Sequence, residues 1–223
     1  MCGRFALFSS PASIVDHLHL DSVQLPAGFT PRYNIAPGQE ILVIRNNQQP
    51  ALLRWGLIPG WAKDEKIGYR LINARAETLW EKPAFRRAAS ARRCLIPADL
   101  FYEWEKTADG KQPYAIRMKT GRLFAMAGVW DAWTDRNTGE VIESCTIITT
   151  AAVGSLKKIH GRMPLIVPPE HYAVWVESAD YPNVDFQNLL KVSTTFAFEL
   201  TPVGRRLNRP ENDDPTILEP ANR

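Results

Sequence analysis

The sequence predicts a mixed α+β fold, mostly antiparallel sheet with a few flanking helices. Three observations carry this. Pairs of short apolar runs joined by polar turns occur twice, the middle of the chain is dense in strand-forming residues, and the helical patterns are short and scattered.

The elements follow in order. Ser10 before Pro11 has the chemistry of a helix start, and Ile14, Val15 and Leu18 give an apolar stripe, so a helix is expected over about 11–19. Ile41–Ile44 and Ala51–Leu57, joined by Arg45-Asn46-Asn47-Gln48-Gln49-Pro50, read as a hairpin. Phe101–Lys106 and Pro113–Met118 flank Ala108-Asp109-Gly110 as a second hairpin. Phe124–Trp130 and Glu143–Thr149 continue the sheet. Helical patterns fall near 83–90, 151–158, 169–177 and 184–191, with a late strand at Thr195–Leu200. The proline-rich, acidic stretch 210–223 reads as a solvated tail laid over the surface.

At 223 residues, with no repeat, low-complexity block or linker, the chain is expected to form one domain over 1–223. Its 45% apolar and 23% charged residues exclude disordered, collagen-like and membrane-spanning chains. The 27 Lys and Arg against 24 Asp and Glu leave a net charge of +3, so any basic site has to be local. The first residues lack the apolar run of a secretory signal. Cys2, Cys94 and Cys145 are odd in number and never spaced as C-x-x-C, which argues against a disulfide framework and a thiolate metal site. A reducing, cytoplasmic setting is expected, and no membrane association.

Several extended stretches alternate polar or reactive residues with small or apolar ones: Cys2 and Arg4; Arg32 and Asn34; Asn73, Arg75 and Glu77; Glu103 and Glu105; His160 and Arg162. In a strand this spacing sends the named side chains to one face. Cys2 follows Met1, and a small second residue permits removal of the initiator, leaving a free α-amine beside a thiol. With reference pKa values of about 7.7–8.0 and about 8.5, the pair suits an aldehyde: the amine forms a Schiff base and the sulfur closes a thiazolidine ring. The plainer alternative is a small buried apolar residue. Glu103, among Phe101, Tyr102 and Trp104, could shuttle protons with a raised pKa, or could be a surface strand glutamate. His160 could transfer a proton near working pH, or could be structural.

Arginines at 4, 32, 54, 75, 86, 87, 92, 93 and 162, with Trp55, Trp61 and Trp104, supply the phosphate forks and flat surfaces that single-stranded nucleic acid uses. The run Arg86 to Arg93 is the densest basic patch, though such a run also suits a solvated helix face. No phosphate-binding G-x-x-x-x-G-K-[ST], H-E-x-x-H or G-x-S-x-G motif is present.

Met-Cys-Gly-Arg-Phe5, Arg32-Tyr-Asn-Ile-Ala-Pro-Gly38, Arg54-Trp-Gly-Leu-Ile-Pro59, Asn73-Ala-Arg-Ala-Glu-Thr78, Arg93-Cys-Leu-Ile-Pro97, Phe101-Tyr-Glu-Trp104 and Ile159-His-Gly-Arg-Met-Pro164 together resemble the SOS response-associated peptidase (SRAP) family. These blocks span residues 2 to about 165, in the family's order. The resemblance implies a β-barrel-like core, a groove holding single-stranded DNA with processed Cys2 at its floor, and covalent crosslinking to abasic sites, whose ring-opened sugar presents an aldehyde. It implies that Asn73 orients substrate or nucleophile, that Glu103 shuttles protons, and that His160 assists Schiff-base steps and reversal. Arg4, Arg75 and Arg162, with Arg86 or Arg87, would bind phosphate. Asn34 would line the groove, and Trp55 and Trp61 would supply aromatic contacts.

Three functions compete: an abasic-site crosslinking enzyme, a thiol (auto)peptidase using Cys2 with His160 and Asn73, and a non-covalent module for single-stranded or modified DNA. The first is preferred, because a peptidase has no need of arginines and tryptophans suited to single strands. Expected accompaniments are no cofactor or metal, single-stranded DNA with abasic sites as partner, a monomer, and nucleoid association on DNA.

Overall fold

The computed structural model describes residues 2–20, 24–45, 48–108, 110–177, 183–193 and 195–221. Met1, Asn46, Asn47, Asp109, Asn222 and Arg223, which enter the expectations above, lie outside the described residues. The chain runs β1 (Phe5–Leu7), α1 (Pro11–His17), β2 (Arg32–Ile35), β3 (Glu40–Ile44), β4 (Pro50–Trp55), β5 (Asn73–Arg75), α2 (Arg86–Ala91), β6 (Arg93–Ala98), β7 (Leu100–Thr107) and β8 (Gly110–Met118). It continues through β9 (Phe124–Thr134), β10 (Val141–Ala151), β11 (Arg162–Pro164), β12 (Ile166–Val167), α3 (Tyr172–Glu177), α4 (Asn183–Ser193) and β13 (Phe198–Pro202). Short 3-10 turns lie between several of these.

Five strands close on themselves. β4 pairs with β3, β3 with β6, β6 with β9 and β9 with β10, all antiparallel, and β10 returns to β4 in parallel through Ser144↔Arg54 and Cys145↔Trp55. A closed ring leaves no edge among these five strands, and alternate residues point inward to fill it. Leu53 and Trp55 on β4, Cys94 and Ile96 on β6, and Cys145 and Ile147 on β10 are all buried. Gly128 marks a tight point: a Cβ there would meet Ile96 Cδ1 at 2.7 Å, Cys94 Sγ at 2.9 Å and Thr146 O at 3.0 Å.

The far end of β10 carries two short strands. β5 joins it in parallel (Asn73↔Ile147, Arg75↔Thr149) and β11 joins it antiparallel (Thr149↔Pro164, Ala151↔Arg162). Both hairpins expected from sequence are present, β3–β4 and β7–β8. The second belongs to a separate five-stranded sheet in the order β13-β8-β7-β1-β2. β1 runs antiparallel to β7 with Phe5 opposite Phe101, so the residues just before it are led along Tyr102 and Glu103.

Two expectations are corrected. The stretch 151–158 is not an α-helix: β10 runs to Ala151, and only a 3-10 turn, Gly154–Lys158, follows. Gly154 opens that turn at φ +53°, outside the right-handed helical region. The segment 210–221 is not a solvated tail. Ile217 is buried with Ala6, Leu100, Tyr102 and Leu207, and Pro220 bridges to Val203. Asp213 accepts hydrogen bonds from the Tyr33 and Asn34 N–H groups (2.5 and 2.8 Å) and pairs with Arg32. Its acidity is spent on capping β2, a contact across about 180 residues of sequence that composition does not reveal.

Candidate functional site

Four segments distant in sequence meet where the chain enters β1. Cys2 is fully buried. The Tyr102 N–H donates to Arg4 O at 2.9 Å, which extends the β1–β7 pairing and brings Gly3 opposite Glu103. From β5, Asn73 Nδ2 donates to Cys2 O at 2.8 Å, while Asn73 Oδ1 is buried with no partner among the described residues. Glu103, 5% exposed on β7, has Oε1 3.9 Å from His160 Nδ1. His160 sits at the end of the 3-10 turn, its own N–H bonded to Leu156 O at 2.9 Å. Its Nδ1 lies 3.0 Å from Arg162 N and 3.2 Å from Arg162 O.

Burial governs the electrostatics. It pushes the Cys2 thiol far above the range of a free thiol, and the Glu103 carboxylate pushes the same way. Burial also raises Glu103 above the ordinary carboxyl range. The thiol therefore rests protonated, and the Glu103 carboxyl that acts on it in turn faces the His160 imidazole. Among the described residues, no group of three or more His, Cys, Asp or Glu side chains could hold a metal.

The candidate arginines divide. Arg162 makes a two-pronged pair with Glu77, NH1 to Oε1 at 2.6 Å and NH2 to Oε2 at 2.9 Å, and NH2 also donates to Thr149 O at 2.5 Å. The Arg162 hydrogen bond holds the Glu77 carboxyl below its usual range. Arg162 thus ties the strand of Asn73 and Arg75 to the strand following His160. Arg75 is exposed beside it, and Arg86 and Arg87 are exposed on α2. The rest of that basic run is occupied: Arg92 pairs with Asp131, and buried Arg93 donates to Trp175 O and Ala89 O. Arg4 is half-buried, with NH1 donating to Asn34 Oδ1 (2.6 Å) and Leu207 O (2.8 Å).

Two candidates do not face a groove. Asn34 is wholly buried beneath 207–213, its Nδ2 donating to Leu207, Arg209 and Asn212 carbonyls at 3.2, 2.9 and 2.7 Å. Trp55 is inside the barrel, edge-on to Phe5 with centroids 5.3 Å apart, its Nε1 donating to Ile72 O at 2.9 Å. Neither reaches a ligand at the surface. Trp61, by contrast, is 55% exposed and donates weakly to Pro83 O, beside the segment that leads into α2.

Sequence reasoning passed over three groups. Thr149 is buried between β5 and β11 and receives Arg162. Asn208 Oδ1 accepts from Trp104 Nε1 at 2.8 Å. A cleft of about 480 Å³ opens from Glu103 and His160 past Trp104 and Asn208 to Lys106 and Lys111. The lysines were legible as cross-strand neighbours flanking the β7–β8 turn, whereas Asn208 had no sequence signal.

The likeness to known proteins extends over most of the chain. The model of the family described as SOS response associated peptidase (SRAP) matches residues 1–210. The chain is 43% identical over 226 residues to "Abasic site processing protein YoaM" of Bacillus subtilis (strain 168), covering 100% of this chain and 99% of that one. It is 31% identical to "Abasic site processing protein HMCES" of Gallus gallus, covering 86% of this chain and 67% of that one. A crystal structure of a protein from Bacteroides thetaiotaomicron superposes with a TM-score of 0.85 at 27% identity, covering 99% of this chain and 100% of that one. The chain belongs to the SRAP family.

Proposed function

We propose that this protein captures abasic sites in single-stranded DNA through a covalent bond to Cys2. The observation that carries the reading is the convergence of Asn73 and Glu103, the latter backed by His160, from two strands and a turn, on the second residue of the chain. Relatives named as abasic site processing proteins support the choice of substrate.

Removal of Met1 frees the α-amine of Cys2. The amine adds to the aldehyde of the ring-opened sugar, and the carbinolamine loses its hydroxyl as water, taking a proton from Glu103. The thiol then adds to the resulting iminium: sulfur bonds to carbon, the C=N π pair returns to nitrogen, and the thiol proton restores the Glu103 carboxyl beside His160, closing the thiazolidine. Asn73 keeps the Cys2 carbonyl fixed through Nδ2, and its spare Oδ1 is available to receive an N–H of the new amine. Burial supports this reading over a thiol peptidase, since a peptidase requires a depressed thiol pKa and here it is raised. Arg75, Arg86, Arg87 and Trp61 offer exposed cations and a flat ring for an unpaired strand.

The test is incubation of Met1-free protein with single-stranded DNA bearing one abasic site. A heat-stable adduct is expected from wild type and none from Cys2→Ala. Equal adduct from Cys2→Ala, or none from wild type, overturns the proposal.

A further inference from the structure

We infer that the cleft between the β7–β8 hairpin and the 205–208 turn is a phosphodiester subsite, in which Lys106 and Lys111 hold the strand on one side of the reacting nucleotide. This rests on the reading that DNA reacts at Cys2, and it adds a direction to the strand's path.

Lys106 and Lys111 are direct cross-strand partners in an antiparallel pair, so two like charges face each other at short range. That arrangement is unfavourable unless an anion lies between or above them. Both lysines are exposed, and neither makes an ion pair with a described residue. The nearest strand carboxylate, Glu105, is engaged by the Tyr114 hydroxyl at 3.0 Å. Trp104 stands between the lysines and the catalytic pair, its ring fixed by the hydrogen bond to Asn208 and overlain by the Arg4 guanidinium 5.9 Å from its centroid. The cleft's volume, about 480 Å³, falls within the range of small-ligand sites. Because Glu103, His160 and both lysines line one cleft, and the lysines lie further along β7 toward its turn than Glu103 does, a strand whose reactive sugar sits at Glu103 passes its neighbouring phosphates to the lysines on one side only.

The experiment uses a tetrahydrofuran abasic analogue in single-stranded DNA, which carries no aldehyde and cannot crosslink. Binding is followed by fluorescence anisotropy from 50 to 200 mM KCl. Each single-strand phosphate contact contributes about 0.7 to the slope of log K against log salt. Lys106→Ala/Lys111→Ala is expected to flatten the slope by about 1.4, so that wild type loses roughly sevenfold more affinity over this range than the variant. Lys106→Arg/Lys111→Arg is expected to keep the wild-type slope. With the analogue placed at either terminus of the oligonucleotide, the lysine effect is expected for one polarity alone. Slopes agreeing within about 0.3 between wild type and the double alanine variant overturn the inference, as does an equal effect on both polarities. Failure of wild type to crosslink true abasic DNA would instead overturn the Cys2 reading, and the lysine slopes would still be measured.

Discussion

Asp213 is the most informative place to perturb the closure of this fold. Its Oδ1 accepts from both the Tyr33 and Asn34 N–H groups, and its other oxygen pairs with Arg32. The side chains of Arg32 and Asp213 are 30% and 18% exposed, so solvent discounts the ion pair to at most about 1 kcal/mol. The two backbone bonds to a charged acceptor are worth about 1.5–3 kcal/mol each. Asp213→Ala removes all three and is expected to cost about 3–7 kcal/mol. In Asp213→Asn the amide oxygen still serves both backbone donors while the ion pair is lost, for about 1–2 kcal/mol. In a chain of 223 residues, each kcal/mol moves Tm by about 2–4 °C, so a loss of about 4 kcal/mol separates the alanine variant from wild type by about 8–16 °C. Urea unfolding followed by tryptophan fluorescence reads both variants. An alanine variant within about 1 kcal/mol of wild type would restore the solvated-tail reading. An asparagine variant as damaged as the alanine one would assign the energy to the ion pair and refute the reasoning given for the backbone caps.

Two further outcomes separate scaffold from surface and test the proton relay. Trp55→Ala is expected to cost about 3–5 kcal/mol of stability in urea unfolding. Trp61→Ala is expected to leave stability within about 0.5 kcal/mol and to weaken single-stranded DNA binding by about 1–3 kcal/mol in anisotropy titrations. Glu103→Gln is expected to slow adduct formation by about 10²–10⁴ in single-turnover assays. Its pH profile supplies the sign. Burial raises the Glu103 pKa, so the proton donor is present below that raised value and is lost as pH rises through it. The wild-type rate should decline on the alkaline side, and persistence of that decline in Glu103→Gln would count against the role.

What the sequence disclosed and what it hid follow from range. Local chemistry is legible: Ser10 caps α1 by accepting from the Ser13 N–H at 3.2 Å, and the runs on either side of Gly110 pair as the expected hairpin. Cys2, Glu103 and His160 were singled out by their chemistry and neighbours in sequence, Asn73 by the family resemblance, and the structure links Asn73 to Cys2, Cys2 to Glu103 and Glu103 to His160. Asn34 was misplaced because alternation correctly separates it from Tyr33 but does not reveal that residues 207–213 cover its face. Trp55 was avoidable. In Leu53-Arg54-Trp55 the period of two puts tryptophan with buried leucine and leaves arginine as the outward residue. The occupation of Arg162 by Glu77 spans 85 residues and needed the pairing of β5 and β11 with opposite sides of β10 to be seen.

The central claim is that Cys2, freed of Met1, bonds to the sugar aldehyde through both nitrogen and sulfur. Intact-mass analysis before and after exposure to abasic single-stranded DNA, followed by peptide mapping without borohydride, reads it directly. The account predicts loss of one methionine from the encoded mass, then a single DNA-sized increment that survives heating and maps to Cys2. An increment that maps to any other residue, or that appears only after borohydride trapping of a bare Schiff base, would contradict it.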